Sequence, residues 1–400
     1  MMKPVMDGVF AINKPSGLTS RFALDRVTRA LSKAPESQEA LAVLQAARSQ
    51  AQQGRRSKTT KLKMGHGGTL DPLAEGVLVI GIGSGTKKLG DYTNGSVKHY
   101  ECVGLLGGST TTGDSEGELL QKTGINITKE MLTETREKMI GEIEQTPPIF
   151  SALKMDGKPL YEYAREGKPL PRNIKGRNVT IHDIKLYDDS LNTDHEWNFL
   201  KSEKDQEGNS LVTQLASNPT LNDHDVPFSK KWLEKAEKEN LKTDAAPVQP
   251  VAEGVDYEKD GYRAPTLHFD AKVSSGTYIR SLLSDFARAM GSSSYMVKLV
   301  RWQQAEWDLK KNVFEIEDFE KYKSEIWLPV LEKVFVDSNV DIRSELEKQI
   351  QQCPEGVKSE EELAAEKKEE EERIAQAADR KRNTDSKGKG KKNFKRQKKY

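Results

Sequence analysis

Apolar and polar positions divide this chain into a patterned body broken by polar stretches. Leu267, Phe269, Ala271 and Val273 alternate with His268, Asp270 and Lys272. A period of two predicts a strand with one face buried. From near Tyr278 the period lengthens: Ile279, Leu282, Leu283, Phe286 and Met290 form an apolar stripe, and Gly291 ends it. Residues 8–13 predict a first strand, closed by the turn Lys14-Pro15-Ser16-Gly17. Thr19 or Ser20 then caps a helix with Phe22, Leu24, Val27 and Leu31 roughly on one side. Further strands are predicted over 97–106, 178–187, 296–302 and 307–309, with a fully apolar run at 77–82. A helix capped by Thr128 reaches about Ile140 and stops at Gly141, and a short helical segment spans roughly 315–334.

Between these elements the pattern lapses. Residues 32–63 are polar and Ala/Gln-rich, and predict one helix followed by a flexible arm with Arg55, Arg56, Lys58, Lys61 and Lys63. Residues 145–172 form a loop punctuated by Pro and Gly. Residues 188–261 are charged and Asn/Asp-rich, mostly loop, with a short helix near 230–239. The resulting organisation is one mixed α/β (α+β) catalytic body over 1–336, with polar insertions at about 32–63 and 188–261. A charged, largely disordered tail occupies 337–400.

Composition sharpens this picture. Hydrophobic residues make up 35% of 400 and the mean hydropathy is -0.73, so part of the chain lies outside any core. A net charge of +1 conceals an acidic stretch at 360–372 followed by a basic one at 380–399. Cys102 and Cys353 provide neither a disulfide framework nor zinc spacing, which fits a reducing compartment. The six histidines are scattered and suggest no metal site. No apolar run approaches the roughly 18 residues of a membrane span, and MMKPVMDGVF lacks a secretory core. A soluble intracellular protein is expected.

The richest chemistry lies in 65–88, GHGGTLDPLAEGVLVIGIGSGTKK. Its glycines permit close backbone approach, and Pro72 keeps Asp71 out of the helical region, leaving one carboxylate on a short loop before a buried strand. A fixed, poorly solvated acid suits nucleophilic work, although Gly-Asp-Pro clusters also make ordinary turns. Nucleotide binding is rejected. A Walker loop needs Gly-Lys-Ser/Thr where Thr86-Lys87-Lys88 stands, and Thr86 occupies the third glycine of a dinucleotide fingerprint.

Three further segments bear on Asp71. Lys98-His99-Tyr100 lies in a strand, where Tyr100 could stack on a base or serve as a half-buried strand aromatic. Ser274 to Arg280 joins the alternating strand to its helix and puts Tyr278 and Arg280 at the junction. A cation in a first helical turn is disfavoured by the helix dipole, so a carboxylate partner gives Arg280 a reason to be there. Lys154, Lys158, Arg165 and Lys168 have Phe150, Tyr161 and Tyr163 among them, a mixture suited to RNA backbone and splayed bases as well as to a solvated loop.

Taken together, these segments resemble the TruB family of pseudouridine synthases. The matching blocks are Asn13-Lys14-Pro15-Ser16-Gly17-Leu18-Thr19-Ser20, residues 65–88, Lys98-His99-Tyr100, residues 110–117 (TTTGDSEG), 145–167 and 273–282, in family order across about 8–301. The insertions, the Lys154–Leu160 wording KMDGKPL and the charged tail are similar to stand-alone fungal-type members, which make pseudouridine at position 55 of the tRNA T-loop. The resemblance implies a pseudouridine-synthase fold: a central, mainly antiparallel sheet with flanking helices and an RNA-binding cleft. It implies Asp71 as the catalytic aspartate, Tyr100 stacked on the target base and Arg280 paired with the aspartate. Tyr278 shapes the pocket and His66 fills the stack vacated by the flipped nucleotide, while Lys154 and Arg165 contact RNA. It implies no metal and no organic cofactor. The expected partner is the T arm of tRNA, with messenger RNA as a further candidate, no membrane, no guide RNA and a monomeric enzyme. A tRNA-folding protein and a guide-dependent subunit are the competing readings; the second needs a folded RNA-binding domain after Val334, where the sequence turns into charge runs. The basic stretch 387–399 points to a nuclear signal or a nucleic-acid contact, and a mitochondrial pool is a second candidate location.

Overall fold

The computed structural model describes residues 6–38, 62–202, 218–366 and 368. The arm carrying Arg55, Arg56, Lys58 and Lys61 and the basic stretch at 380–399 lie outside the described residues.

Strand β1 (Gly8–Lys14) leads into α1 (Ser20–Lys33), whose N-cap is Thr19 with its hydroxyl accepting from Phe22 N–H. Ala23, Leu24, Val27 and Leu31 are buried on one side, whereas Phe22 is 44% exposed. Leu24, Val27 and Leu31 thus form the expected stripe, and only Phe22 departs from it: it stands about 100° around the helix from Ala23, which takes the inward place. After β2 (Met64–Gly67) comes β3 (Glu75–Ile82), then α2 (Leu89–Asn94) and β4 (Lys98–Leu106). A hairpin of β5 (Gly108–Thr110) and β6 (Leu119–Lys122) precedes α3 (Lys129–Met139), capped by Thr128.

The stretch from Gly141 departs from expectation. Gly141 is not only a helix stop but the first residue of β7 (Gly141–Gln145), an edge strand paired with β10 (Arg177–Leu186). GEIEQ carries one inward apolar residue, Ile143, so its period of two is too short to register as a pattern. The loop at 145–172 also folds. It holds a two-strand ribbon, β8 (Lys154–Met155) with β9 (Lys158–Pro159), and helix α4 (Leu160–Arg165). Ile149, Met155, Leu160 and Ala164 form its own small core.

Within the second insertion α5 (Lys230–Glu239) forms where expected, but the insertion is not merely polar: Phe199, Leu221, Phe228 and Tyr257 are buried. Strand β11 (Thr266–Val273) buries Leu267, Phe269, Ala271 and Val273 completely, and α6 (Ile279–Ala289) follows. β12 (Ser294–Gln304) is longer than expected, and β13 (Trp307–Asp308) and β14 (Phe314–Glu315) follow it. The segment read as one short helix is two, α7 (Ile316–Lys321) and α8 (Ser324–Val336). Beyond Asp337 the chain does not begin a tail at once. Helix α9 (Ile342–Gln352) packs there through the buried Ile342 and Leu346. Two anchors in eleven polar-rich residues were too few to stand out in the sequence.

Ten strands make one sheet in the order β14-β1-β3-β12-β4-β11-β10-β7, with β2 on β3 and β13 on β12. Only β1/β14 and β3/β12 run parallel, so the fold is mixed α/β with a mainly antiparallel sheet. Separate apolar clusters fill its two halves, one under α1, α7 and α8, the other under α3 and α6. The halves join at β3/β12, where Gly76 (φ +107) faces the backbone of Arg301; a Cβ there would collide with the Arg301 carbonyl. The loop carrying Asp71 enters β3 at this joint. Among the described residues no helix is long and apolar enough to cross a membrane.

Candidate active site

The Asp71 loop is moulded by the turn after β1. Ser20 Oγ donates to Leu70 O and accepts from Leu70 N–H, both at 2.8 Å. Gly17 N–H donates to Pro72 O at 2.8 Å, and Ser16 Oγ to Leu73 O at 2.6 Å. Lys14, completely buried, donates from Nζ to Leu18 O at 2.6 Å, Pro15 O at 2.9 Å and Pro72 O at 3.2 Å. Burial pushes the Lys14 ammonium down to about 8, against the pull of Asp71 and Glu116. This explains the spacing of the first sequence block. A backbone loop that would otherwise lack partners is satisfied by hydroxyl, ammonium and amide donors from residues 14–20.

Asp71 keeps its side chain 36% exposed, while its partner is almost wholly buried: Arg280 Nε lies 2.9 Å from Asp71 Oδ2. The Nε–H is not aligned on that oxygen, so the contact is an ion pair rather than a linear hydrogen bond. Arg280 Nη1 donates to Thr112 O at 2.6 Å and Nη2 to Phe150 O at 2.8 Å. Burial opposes the charge on Arg280, but Asp71 and Asp114 outweigh it and hold the guanidinium above its ordinary range. Asp114 is 3% exposed, with Oδ2 3.9 Å from Arg280 Nε; its other oxygen accepts from Thr112 Oγ1 at 2.6 Å and Glu116 N–H at 3.1 Å. Burial, with Asp114 and Asp71 nearby, raises the Glu116 carboxyl above the usual range.

Of the residues singled out in the sequence, Asp71 and Arg280 meet directly. Tyr100 is 6% exposed and packs in the same apolar cluster as Leu70 and Ala74, which flank the Asp71 loop. Its hydroxyl lies 3.4 Å from Arg301 Nη1. Tyr278 is the N-cap of α6; its backbone is gripped at N–H and C=O by the buried Gln145 side chain, and its ring lies 4.8 Å from the Arg177 guanidinium. His66 stands on β2, half-buried, with Nδ1 unpartnered. Burial, then the charge of Arg301, pushes its imidazole below the ordinary range. Lys154 and Arg165 sit on the lobe at 149–170, Arg165 over the Tyr161 ring at 5.2 Å. Among the described contacts neither reaches Asp71 or Arg280; Phe150 carries that connection instead.

Sequence reasoning missed Arg301, Asp114 and Gln145. Arg301 is 1% exposed and donates to Val77 O at 2.7 Å and Gly68 O at 3.3 Å, tying both ends of the Asp71 loop to β12. A lone arginine within the apolar run of β12 was its available signal. Asp114 was visible only as part of the 110–117 block. Among the described residues, no group of three His, Cys, Asp or Glu side chains is placed to hold a metal. The arrangement presents one water-accessible carboxylate beside a buried guanidinium, with an aromatic wall and basic residues on the adjoining lobe. It suits attack on, or charge stabilisation at, a sugar carbon of a polyanionic substrate.

Residues 55–204 match the family described as TruB family pseudouridylate synthase (N terminal domain). The chain is 48% identical over 372 residues to tRNA pseudouridine synthase 4 of Saccharomyces cerevisiae, covering 88% of this chain and 91% of that one. It is 35% identical over 336 residues to tRNA pseudouridine synthase 4 of Schizosaccharomyces pombe, covering 78% and 82%. To tRNA pseudouridine synthase B of an Azoarcus species it is 39% identical over 182 residues, covering 46% and 50%.

Proposed function

The chain belongs to the TruB family of pseudouridine synthases, and we propose that it converts uridine to pseudouridine at position 55 of the tRNA T-loop, with Asp71 as the catalytic carboxylate. The contact between Asp71 and Arg280 at 2.9 Å is the observation that carries this reading. The target nucleotide must leave the folded loop before its C1′ can be reached, at a cost of a few kcal/mol in lost stacking. His66 offsets part of that cost by filling the vacated place. Asp71 assists cleavage of the C1′–N1 bond, Arg280 aims it, and the freed uracil turns within the pocket. A C1′–C5 bond then forms, N1 gains a proton, and the C5 proton leaves to an acceptor, the role we assign to the Tyr100 hydroxyl. Tyr278 shapes the pocket; Lys154 and Arg165 hold the RNA. Neither a metal nor an organic cofactor enters this scheme.

The enzyme works as a monomer on the T arm without a guide RNA, with messenger RNA as a second substrate class. The chain through about residue 336, with helix α9 packed onto it, is its catalytic domain, and the basic stretch at 387–399 directs it to the nucleus. A pseudouridine map of tRNA incubated with wild-type and Asp71→Asn protein tests the central claim. Modification at position 55 by the wild type and none by Asp71→Asn is expected, with tRNA affinity little changed. Retained turnover by Asp71→Asn removes the residue from this role.

A further inference from the structure

Within the second insertion, residues 218–224 touch both walls that grip Arg280. The first wall is the lobe at 149–170, whose Phe150 carbonyl accepts from Arg280. Asn218, 7% exposed, spends its whole carboxamide on that lobe: Nδ2 donates to Lys168 O at 2.9 Å, and Oδ1 accepts from Leu170 N–H at 3.1 Å. The second wall is the turn at Thr112 and Gly113. Leu221 presses on Gly113 so closely that a Cβ there would meet Leu221 Cδ1 at 2.6 Å and Arg280 Cβ at 3.5 Å. Gly113 is thus sandwiched between the strap and the stem of Arg280.

The strap itself is anchored on the helix that carries Arg280. Two turns along α6, Arg288 donates to Leu221 O at 2.9 Å and Asn222 O at 3.2 Å, and also to His224 O. Asp285, fully buried, holds His224 Nε2 at 3.1 Å and Arg288 Nη1 at 3.3 Å. One helix therefore fixes the guanidinium at one end and, at the other, the strap that restrains that guanidinium's two carbonyl partners.

We propose that residues 218–224 act as a positioning strap for the known reaction, coupling the lobe at 149–170 to the Arg280 site, with Asn218 as the clasp. None of these residues touches Asp71 or the reacting atoms, and the inference rests on the role assigned to Arg280 above. Asn218 supplies side-chain partners to the Lys168 carbonyl and the Leu170 N–H, so its removal loosens this side of the lobe while the lobe's own apolar cluster stays in place.

The test uses full-length protein and tRNA labelled with tritium at uridine C5, which is released to water on isomerisation. Asn218→Ala loses two neutral hydrogen bonds, which predicts a single-turnover rate at saturating protein about tenfold lower, with tRNA Kd within about twofold. Leu170 amide exchange should quicken by a similar factor, since its acceptor has gone. Asn218→Ser, which keeps a hydroxyl at the site, should recover part of both effects and guards against a variant that fails to fold. A wild-type rate in Asn218→Ala despite faster Leu170 exchange overturns the proposal. So does a slower rate with Leu170 exchange unchanged, or a loss confined to Kd. A wild-type protein that releases no tritium sinks the functional reading itself, whereas an active wild type with unaffected variants sinks the strap alone.

Discussion

Replacing Arg280 by methionine removes two hydrogen bonds and the ion pair with Asp71, besides the longer contact with Asp114, and the first three can be worked separately. Its Nη atoms donate to Thr112 O at 2.6 Å and Phe150 O at 2.8 Å. Without them, two carbonyls at the cleft wall lose charged donors, at about 1–3 kcal/mol each. The ion pair with Asp71 is a Coulomb term of about 4 kcal/mol at an effective dielectric of 20 and roughly 4 Å between charge centres. Asp71 is 36% exposed, and screening by water leaves roughly half of that, about 2 kcal/mol. At 1.36 kcal/mol per decade the Asp71 part alone is about 30-fold in rate, and loosened walls carry the total toward about 10²–10³. Arg280→Lys keeps a positive charge but cannot fork to carbonyls on two sides, so about 10–10²-fold is expected. The assay is single-turnover tritium release from C5-labelled tRNA, with thermal unfolding run in parallel because the wall contacts also stabilise the fold. A folded Arg280→Met protein within threefold of the wild-type rate refutes the reasoning.

Asp114→Ala removes the acceptor of Thr112 Oγ1 and Glu116 N–H and one of the two carboxylates facing Arg280; a stability loss of about 1–3 kcal/mol is expected, with Asp114→Asn retaining most of it, read by urea unfolding. His268 lies between Asp189 at 2.8 Å and Glu101 at 3.3 Å, stacked on Tyr187. Burial opposes its charge but these carboxylates prevail, so its imidazole sits above the ordinary 6.5. A raised value contributes stability fully below pH 6.5, lost as the pH climbs through the folded value. The melting-temperature difference between wild type and His268→Gln should therefore shrink on going from pH 6 to alkaline pH, and a difference independent of pH contradicts the assignment. Burial pushes the Cys102 thiol up and leaves it 0% exposed, so a thiol reagent should label native protein once, at Cys353, and unfolded protein twice; mass spectrometry of tryptic peptides decides this. Deleting everything after Asp337 strips Ile342 and Leu346 from the core and should cost about 4–8 kcal/mol by calorimetry, near the cost of two large buried aliphatics.

The parts of the fold that could be read in the sequence were those where one side of an element is buried over several residues. β11 is the clearest instance, with four buried positions alternating with His268, Asp270 and Lys272. α6 showed its stripe for the same reason, and Thr19 and Thr128 cap helices because short polar side chains satisfy free N–H groups wherever they stand. Elements held by one or two anchors escaped: β7 on Ile143, α9 on Ile342 and Leu346. Their stability comes from neighbours distant in sequence, such as the pairing of Gln145 with Arg177, and no local window contains it.

At the site the divide falls between what a residue is and what it is packed against. Asp71 was legible because Pro72 restricts its backbone locally and the glycines before it allow a close approach. Arg280 was legible only as an oddity, a cation in a first helical turn, until its burial against Asp71 explained it. Arg301 showed only as a lone arginine in an apolar run, and Asn218 not at all. One crosses between β12 and the Asp71 loop, and the other joins an insertion to a lobe fifty residues away. Both spend their hydrogen bonds chiefly on backbone groups, and any residue type can offer a carbonyl. A carbonyl partner leaves no mark in the sequence of the segment that provides it. The side chains that hold an active site in place are for that reason harder to see than those that perform its chemistry. They emerge only when the donors of a buried polar residue are followed to their acceptors one by one.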